Sequence, residues 1–206
     1  MLAPRRSSVY IDLMRAPKPQ FHPVATAFAA ALLSAALAAA PLAAQSPAEP
    51  PDDMEALFSE LAADGEGWMR AQSDIERAWS RSGSAALDLL LMRGESALDA
   101  GDTAAAIGHL TALTDHAPDF AAGWAARAAA FQMAGQTGPA MADLARALQL
   151  EPRHWPSITL LAAILEDSGD TARALAAYRE SLGVNPHQPD AQDGAARLSV
   201  TPGQGV

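Results

Sequence analysis

The chain has 206 residues, a formal net charge of −10 and no cysteine. That length holds one domain with extensions. The missing cysteine excludes disulfides, thiolate metal sites, cysteine nucleophiles and acyl-cysteine anchors, and it suits an oxidising compartment. A body this acidic repels phosphate backbones, which makes nucleic acid and anionic lipid poor partners.

The charge is unevenly spread. The first 44 residues set Arg5, Arg6, Arg15 and Lys18 against Asp12 alone, whereas the remainder sets ten arginines against 23 carboxylates and has no lysine. From Val24 to Ala44 the chain is almost wholly Ala and Leu, without a charge. A basic start, an apolar run and a small-residue exit at Leu42-Ala43-Ala44 predict a signal peptide over residues 1–44, cleaved after Ala44. The expected location is then periplasmic or secreted. The run of 21 residues is also long enough to span a bilayer, which leaves an uncleaved inner-membrane anchor as the alternative. Met14 competes with Met1 as the true start. Arg5-Arg6 lacks the apolar residues at the distance a twin-arginine signal needs, and Asp12 intervenes.

Residues 45–51, with Pro47, Pro50 and Pro51, read as an extended linker because the residue before proline avoids helix. Over residues 52–83 a helical hairpin is predicted. Asp52 or Asp53 caps a first helix whose stripe is Met54, Leu57, Phe58 and Leu61. Gly65 and Gly67 break it, and a second helix carries Trp68, Ile75 and Trp79 before Ser82-Gly83-Ser84. The hairpin is either a degenerate unit or a separate cap, and in both cases it would cover an apolar array end.

From Leu87 to Gln188 the sequence echoes itself every 34 residues. Pro118, Pro152 and Pro186 recur at that interval, as do Gly101, Gly135 and Gly169. Ala106, Ala140 and Ala174 form a third column, and Leu110, Leu144 and Tyr178 a fourth. The units run over residues 87–120, 121–154 and 155–188. Each reads as two helices: the Gly supplies a left-handed residue at the end of the first, and the Pro stops the second. Asp102-Thr103 and Asp170-Thr171 supply N-cap candidates. The first helices carry Leu90, Trp124 or Ile158 on their packing face, and Gly94, Ala128 or Ala162 where the second helix crosses closely. Residues 189–199 read as a capping helix, with Ala191, Ala195 and Leu198 inward. Val200 to Val206 is expected to be disordered.

This pattern resembles the tetratricopeptide repeat, a helix–turn–helix unit of the same period. The resemblance covers about half the chain, and Arg93-Gly94 and Arg127-Ala128 resemble the Arg-Gly pair frequent in bacterial members. More broadly, the chain is similar to secreted alphaproteobacterial proteins of this kind. The implied fold is all-α, a right-handed α-solenoid of three clear units with an N-terminal hairpin and a C-terminal capping helix. The implied function is protein binding through a concave groove lined by the first helices. Carried over position by position, that groove comprises Asp88, Leu91, Glu95, Leu98 and Asp99 from the first unit. Ala122, Ala125, Ala129, Gln132 and Met133 follow from the second, then Pro156, Thr159, Ala163, Glu166 and Asp167 from the third. Members that dock acidic chaperone tails use Lys and Asn on this face, and those residues are missing here. A methyl-rich centre between acidic ends suits a protein or peptide with a small apolar anchor flanked by Arg or Lys.

No catalytic residue, metal site or cofactor is expected. The chain has no GxSxG, P-loop, HExxH or GxGxxG motif. His109, His116, His154 and His187 fall about one per unit, which separates them by roughly one repeat thickness, on the order of 10 Å. Trp124 occupies a packing position, and Phe120 and Trp155 are expected to staple neighbouring units. Trp68 and Trp79 lie outside the repeats, where one of them is a candidate exposed anchor. A membrane is a partner only if the N-terminal segment stays uncleaved.

Overall fold

Nine helices in chain order build the residues that the computed structural model describes, 54–199: α1 (Met54–Leu61), α2 (Trp68–Trp79), α3 (Ala85–Asp99), α4 (Thr103–His116), α5 (Ala121–Met133), α6 (Thr137–Leu150), α7 (Trp155–Asp167), α8 (Thr171–Val184) and α9 (Pro189–Ser199). All of them belong to one unit, Ala44–Val206. The signal-peptide, linker and tail readings lie outside the described residues.

The 34-residue period becomes three antiparallel pairs, α3 with α4, α5 with α6 and α7 with α8, stacked in sequence and followed by α9. The first helices of the pairs end alike. Gly101, Gly135 and Gly169 adopt φ of 74°, 70° and 79°. The amide of the next residue reaches back to the helix, from Asp102 to the Ala97 carbonyl, Gln136 to Phe131 and Asp170 to Leu165, at 2.8–2.9 Å. This satisfies carbonyls the helix leaves open. Asp102 and Asp170 then cap α4 and α8 by accepting the amides of Ala105 and Arg173. The second unit has Gln136 at that place and no side-chain cap.

Small residues set the closeness of each pair. Ala106, Ala128, Ala140, Ala162 and Ala174 are fully buried. A Cβ on Gly94 would lie 2.5 Å from the Leu110 side chain, so α3 and α4 meet through a missing methyl. At the C-terminal end, Gly194 of α9 packs on the Tyr178 ring, where a Cβ would come within 2.4 Å. Ala191 is buried there, with Ala195 and Leu198 packed beside it.

One position of the repeat behaves differently in each unit. In the second, Arg127 of α5 makes a two-pronged ion pair with Asp143 of α6, at 2.6 and 2.9 Å, and donates to Thr114 of α4 at 2.7 Å. The carboxylate holds the guanidinium pKa above its usual value. Both side chains are largely buried, and the guanidinium also faces the Trp124 ring at 4.8 Å. The equivalent positions are Arg93 and His109 in the first unit, where Arg93 is exposed, and Leu161 and Ala177 in the third. A buried charge is tolerated when paired and hydrogen-bonded, and only the second unit supplies the partner.

Read from sequence, the hairpin α1–α2 covers an end of the array. In the structure Phe58, Leu61, Ala71 and Ile75 form one buried cluster with Trp155, at the start of α7, and with Val184, at the end of α8. The cause is aromatic and polar complementarity at the third unit's turns. Trp79 packs on His154 and Trp155, each at 4.6 Å between ring centroids, and Trp68 stacks on His187 at 4.2 Å. Neither tryptophan is a free anchor. Asn185, fully buried, donates to Gln72, and Arg153 lies over the Phe58 ring at 3.7 Å.

Candidate functional site: a concave face walled by α2

The hairpin leaves α2 facing the first helices of the units, and two cavities lie along that face. The first, of about 450 Å³, is lined by Glu76 and Trp79 of α2 and Ser80 just after it, together with Glu95 and Leu98 of α3, Ala122, Ala125, Ala126 and Ala129 of α5, and His154, Pro156, Ser157 and Leu160 around the start of α7. The second, of about 690 Å³, continues from Pro156 and Leu160 past Thr159 and Ala163 to Asp190, Asp193 and Arg197 of α9, with Gln72 on the α2 side. The wall residues Gln72, Glu76 and Trp79 are spaced i, i+4, i+7, which places them on one helix face.

The repeat register locates the groove residues unevenly. Glu95, Leu98, Ala122, Ala125 and Ala129 come together in the first cavity, and Pro156, Thr159 and Ala163 in the second. Leu91 does not line it, because it is buried in the cluster joining α3, α4 and α5. Asp88 is also elsewhere: its carboxylate accepts from the Ser82 amide and hydroxyl at 2.7 and 2.6 Å and ties down the start of α3. Asp99, Gln132, Met133 and Asp167 line neither cavity, and Met133 stands 56% exposed.

Two further groove residues are already engaged. Glu166 accepts two hydrogen bonds from Arg197, at 2.7 and 2.8 Å, and one from the Tyr178 hydroxyl at 2.9 Å. Arg197 holds its carboxyl below the usual range, while burial and this carboxylate push the Tyr178 phenol up to about 12. At this end α9 therefore occupies Glu166 with Arg197. Thr159 gives its hydroxyl to Gln188, in a network with Ser181 and Trp155.

Glu95 is different. Among the described residues no cation or hydrogen-bond donor meets it, unlike Glu76, which accepts from Gln72 at 3.0 Å. Glu95 keeps solvent access, yet its carboxyl lies at the cavity edge, where partial desolvation and then the neighbouring Asp99 push its pKa up. A carboxylate so placed gains from an incoming cation.

Sequence reasoning missed the α2 wall and Leu160. A signal was present: Trp68, Ile75 and Trp79 give α2 more large apolar surface than a solvated end cap needs. His154 is a capping residue. Its Nδ1 lies 2.7 Å from the Ser157 hydroxyl and accepts the Ser157 amide at 3.3 Å, capping α7. Burial lowers its pKa to about 4, so the ring is neutral at pH 7.

Among the described residues no group of three or more His, Cys, Asp or Glu is placed to hold a metal ion. No helix among them is long and apolar enough to cross a membrane.

Stacked helix hairpins, a left-handed glycine between the helices of each pair and a concave face define an α-solenoid of the kind used as a scaffold for protein–protein interaction. No family model matches the sequence. A TPR repeat-containing protein of Rhizobium etli is 30% identical over 148 residues, which is 71% of this chain and 72% of that protein. Among solved structures, the TPR domain of Arabidopsis OM64 superposes with a TM-score of 0.53 at 20% identity, covering 55% of this chain and 93% of that one. The TPR2B domain of yeast Sti1, solved in complex with pHsp70, gives 0.53 at 20% identity over 56% of this chain and 98% of that one. The chain belongs to the tetratricopeptide repeat proteins.

Proposed function

We propose that this protein is a non-enzymatic scaffold of the periplasm or of the secreted fraction, which holds a protein or peptide partner on its concave face. The observation that carries the reading is the floor of the first cavity. Ala122, Ala125, Ala129 and Leu160 offer methyl groups with little polar competition, and Glu95 stands unpaired at the edge. Such a surface favours a small apolar anchor with Arg or Lys beside it. The basic–apolar–small order of residues 1–44 supports export, with a mature chain beginning near Gln45. Recovery of only full-length protein, confined to the inner-membrane fraction, would remove that part of the proposal.

Cross-linking in cells followed by mass spectrometry identifies the partner, and surface-plasmon kinetics at two salt concentrations tests the surface. Reversing Glu95 and Asp99 to Lys together should slow association and flatten its salt dependence, since each exposed pair is worth only about 0–1 kcal/mol but the field steers encounter. Ala129→Arg should instead speed dissociation by blocking the floor, with little change in salt slope. If both variants bind as the wild type does, the concave face is not the docking surface.

A further inference from the structure

The α1–α2 hairpin changes what the concave face can accept. Without it the first helices would line an open trough. With it, α2 stands across that trough, fixed by the Trp79–His154–Trp155 contacts at one end and the Trp68–His187 stack at the other. The space left is two cavities of about 450 and 690 Å³, meeting at Pro156 and Leu160. Both cavities open to solvent along the face, so a segment of a partner chain can lie across them.

Charge narrows the occupant further. The smaller cavity has an apolar floor of alanines from α5 and carboxylates on two sides, Glu95 from α3 and Glu76 from α2. Trp79 supplies an aromatic wall in the same cavity. An arginine or lysine places a methylene stem and a cationic head on one side chain. The stem matches the Ala122–Ala125–Ala129 floor, and the head matches two carboxylates beside an aromatic ring. Along the larger cavity the charges of Asp190 and Asp193 keep the same sign, because Arg197 is already tied to Glu166. We propose that the channel between α2 and the first helices binds a basic segment of a partner protein, with one Arg or Lys side chain seated between Glu76 and Glu95. This rests on the concave-face reading above and adds a specificity residue, Glu76, contributed from outside the repeats.

The test uses methyl and indole NMR on the full chain, titrated with a short blocked Ala/Gly peptide carrying one central arginine. The control peptide carries citrulline, which keeps the shape without the charge. The arginine peptide should shift the methyls of Ala122, Ala125 and Ala129, and citrulline should weaken binding about three- to five-fold, the worth of one exposed charge contact. Glu76→Gln, which keeps an acceptor for Gln72, should weaken the arginine peptide by a similar factor and leave the citrulline peptide unchanged. Wild-type affinity in Glu76→Gln, with loss in Glu95→Gln and Ala129→Arg, would overturn the α2 wall and leave the concave-face reading standing. No loss in any of the three would sink both. If the peptide instead collapses the near-ultraviolet dichroism of the Trp79–Trp155 pair, the hairpin is a competitor for the channel, and the proposal fails on that outcome too.

Discussion

The two ends of the solenoid are finished in opposite ways. At the first end, α3 leaves Leu89 and Met92 exposed, 39% and 57%, and Arg93 faces outward without the ion pair its counterpart Arg127 makes. The third unit is covered twice, by α9 through Ala191 and Gly194 and by the hairpin through Trp155. The period alone does not predict this asymmetry, since both ends obey the same columns. The difference comes from the turns. The turns before α7 and after α8 place His154, Trp155, Asn185 and His187 together, a set of rings and one amide that the hairpin's Trp68, Gln72 and Trp79 can match. The turn before α5 has Asp119 and Phe120 instead.

Removing the covered end's anchor gives the largest expected effect. Trp155→Ala should cost about 3–5 kcal/mol in chemical denaturation, the range for deleting a buried aromatic. It should also abolish hydrogen-exchange protection across α1 and α2 while α3–α6 keep theirs. Loss of protection spread evenly over all units would mean that the two ends are not independent.

Acid should act on the same end. The unfolded chain binds a proton on His154 near its ordinary value of 6.5, but the folded chain does so only near 4 because the ring is buried. Between those values the native state holds fewer protons. Stability is therefore full above about pH 6.5 and falls as pH drops toward 4, by up to about 3 kcal/mol. His154→Asn, which keeps a capping side chain, should flatten this slope between pH 6.5 and 4. An unchanged slope would assign the acid response to other groups.

The open end should be insensitive. Leu89→Ser or Met92→Ser should move stability by no more than about 0.5 kcal/mol, as exposed positions do. A loss near that of Trp155→Ala would show that something covers this end too.

The solenoid itself was legible in the sequence because its determinants are local and repeated. Gly101, Gly135 and Gly169 need a left-handed backbone, and the small residues at the helix crossings fit only that register. The floor of the site followed from the same columns, which is why Ala122, Ala125, Ala129 and Ala163 were placed on it. What failed was long-range. Nothing near Gln72 in sequence announces Asn185, and nothing near Glu166 announces Arg197. Leu91 was misjudged because the first unit's neighbours bury an offset that the second and third leave open to a cavity. Asp88 was drawn away by Ser82, a local competitor that the repeat pattern does not contain.

The Gln72–Asn185 contact joins residues 113 positions apart, and this has a consequence in time. The chain is made from its N-terminus at about 5–20 residues per second, so the α2 segment is complete roughly 6–20 s before its docking turn exists. Trp79 gains its His154 and Trp155 contacts partway through that interval, and Trp68 gains His187 only after its end. The newborn protein thus passes through a stage in which its first two units are made and the hairpin's docking turn at Asn185 is still missing.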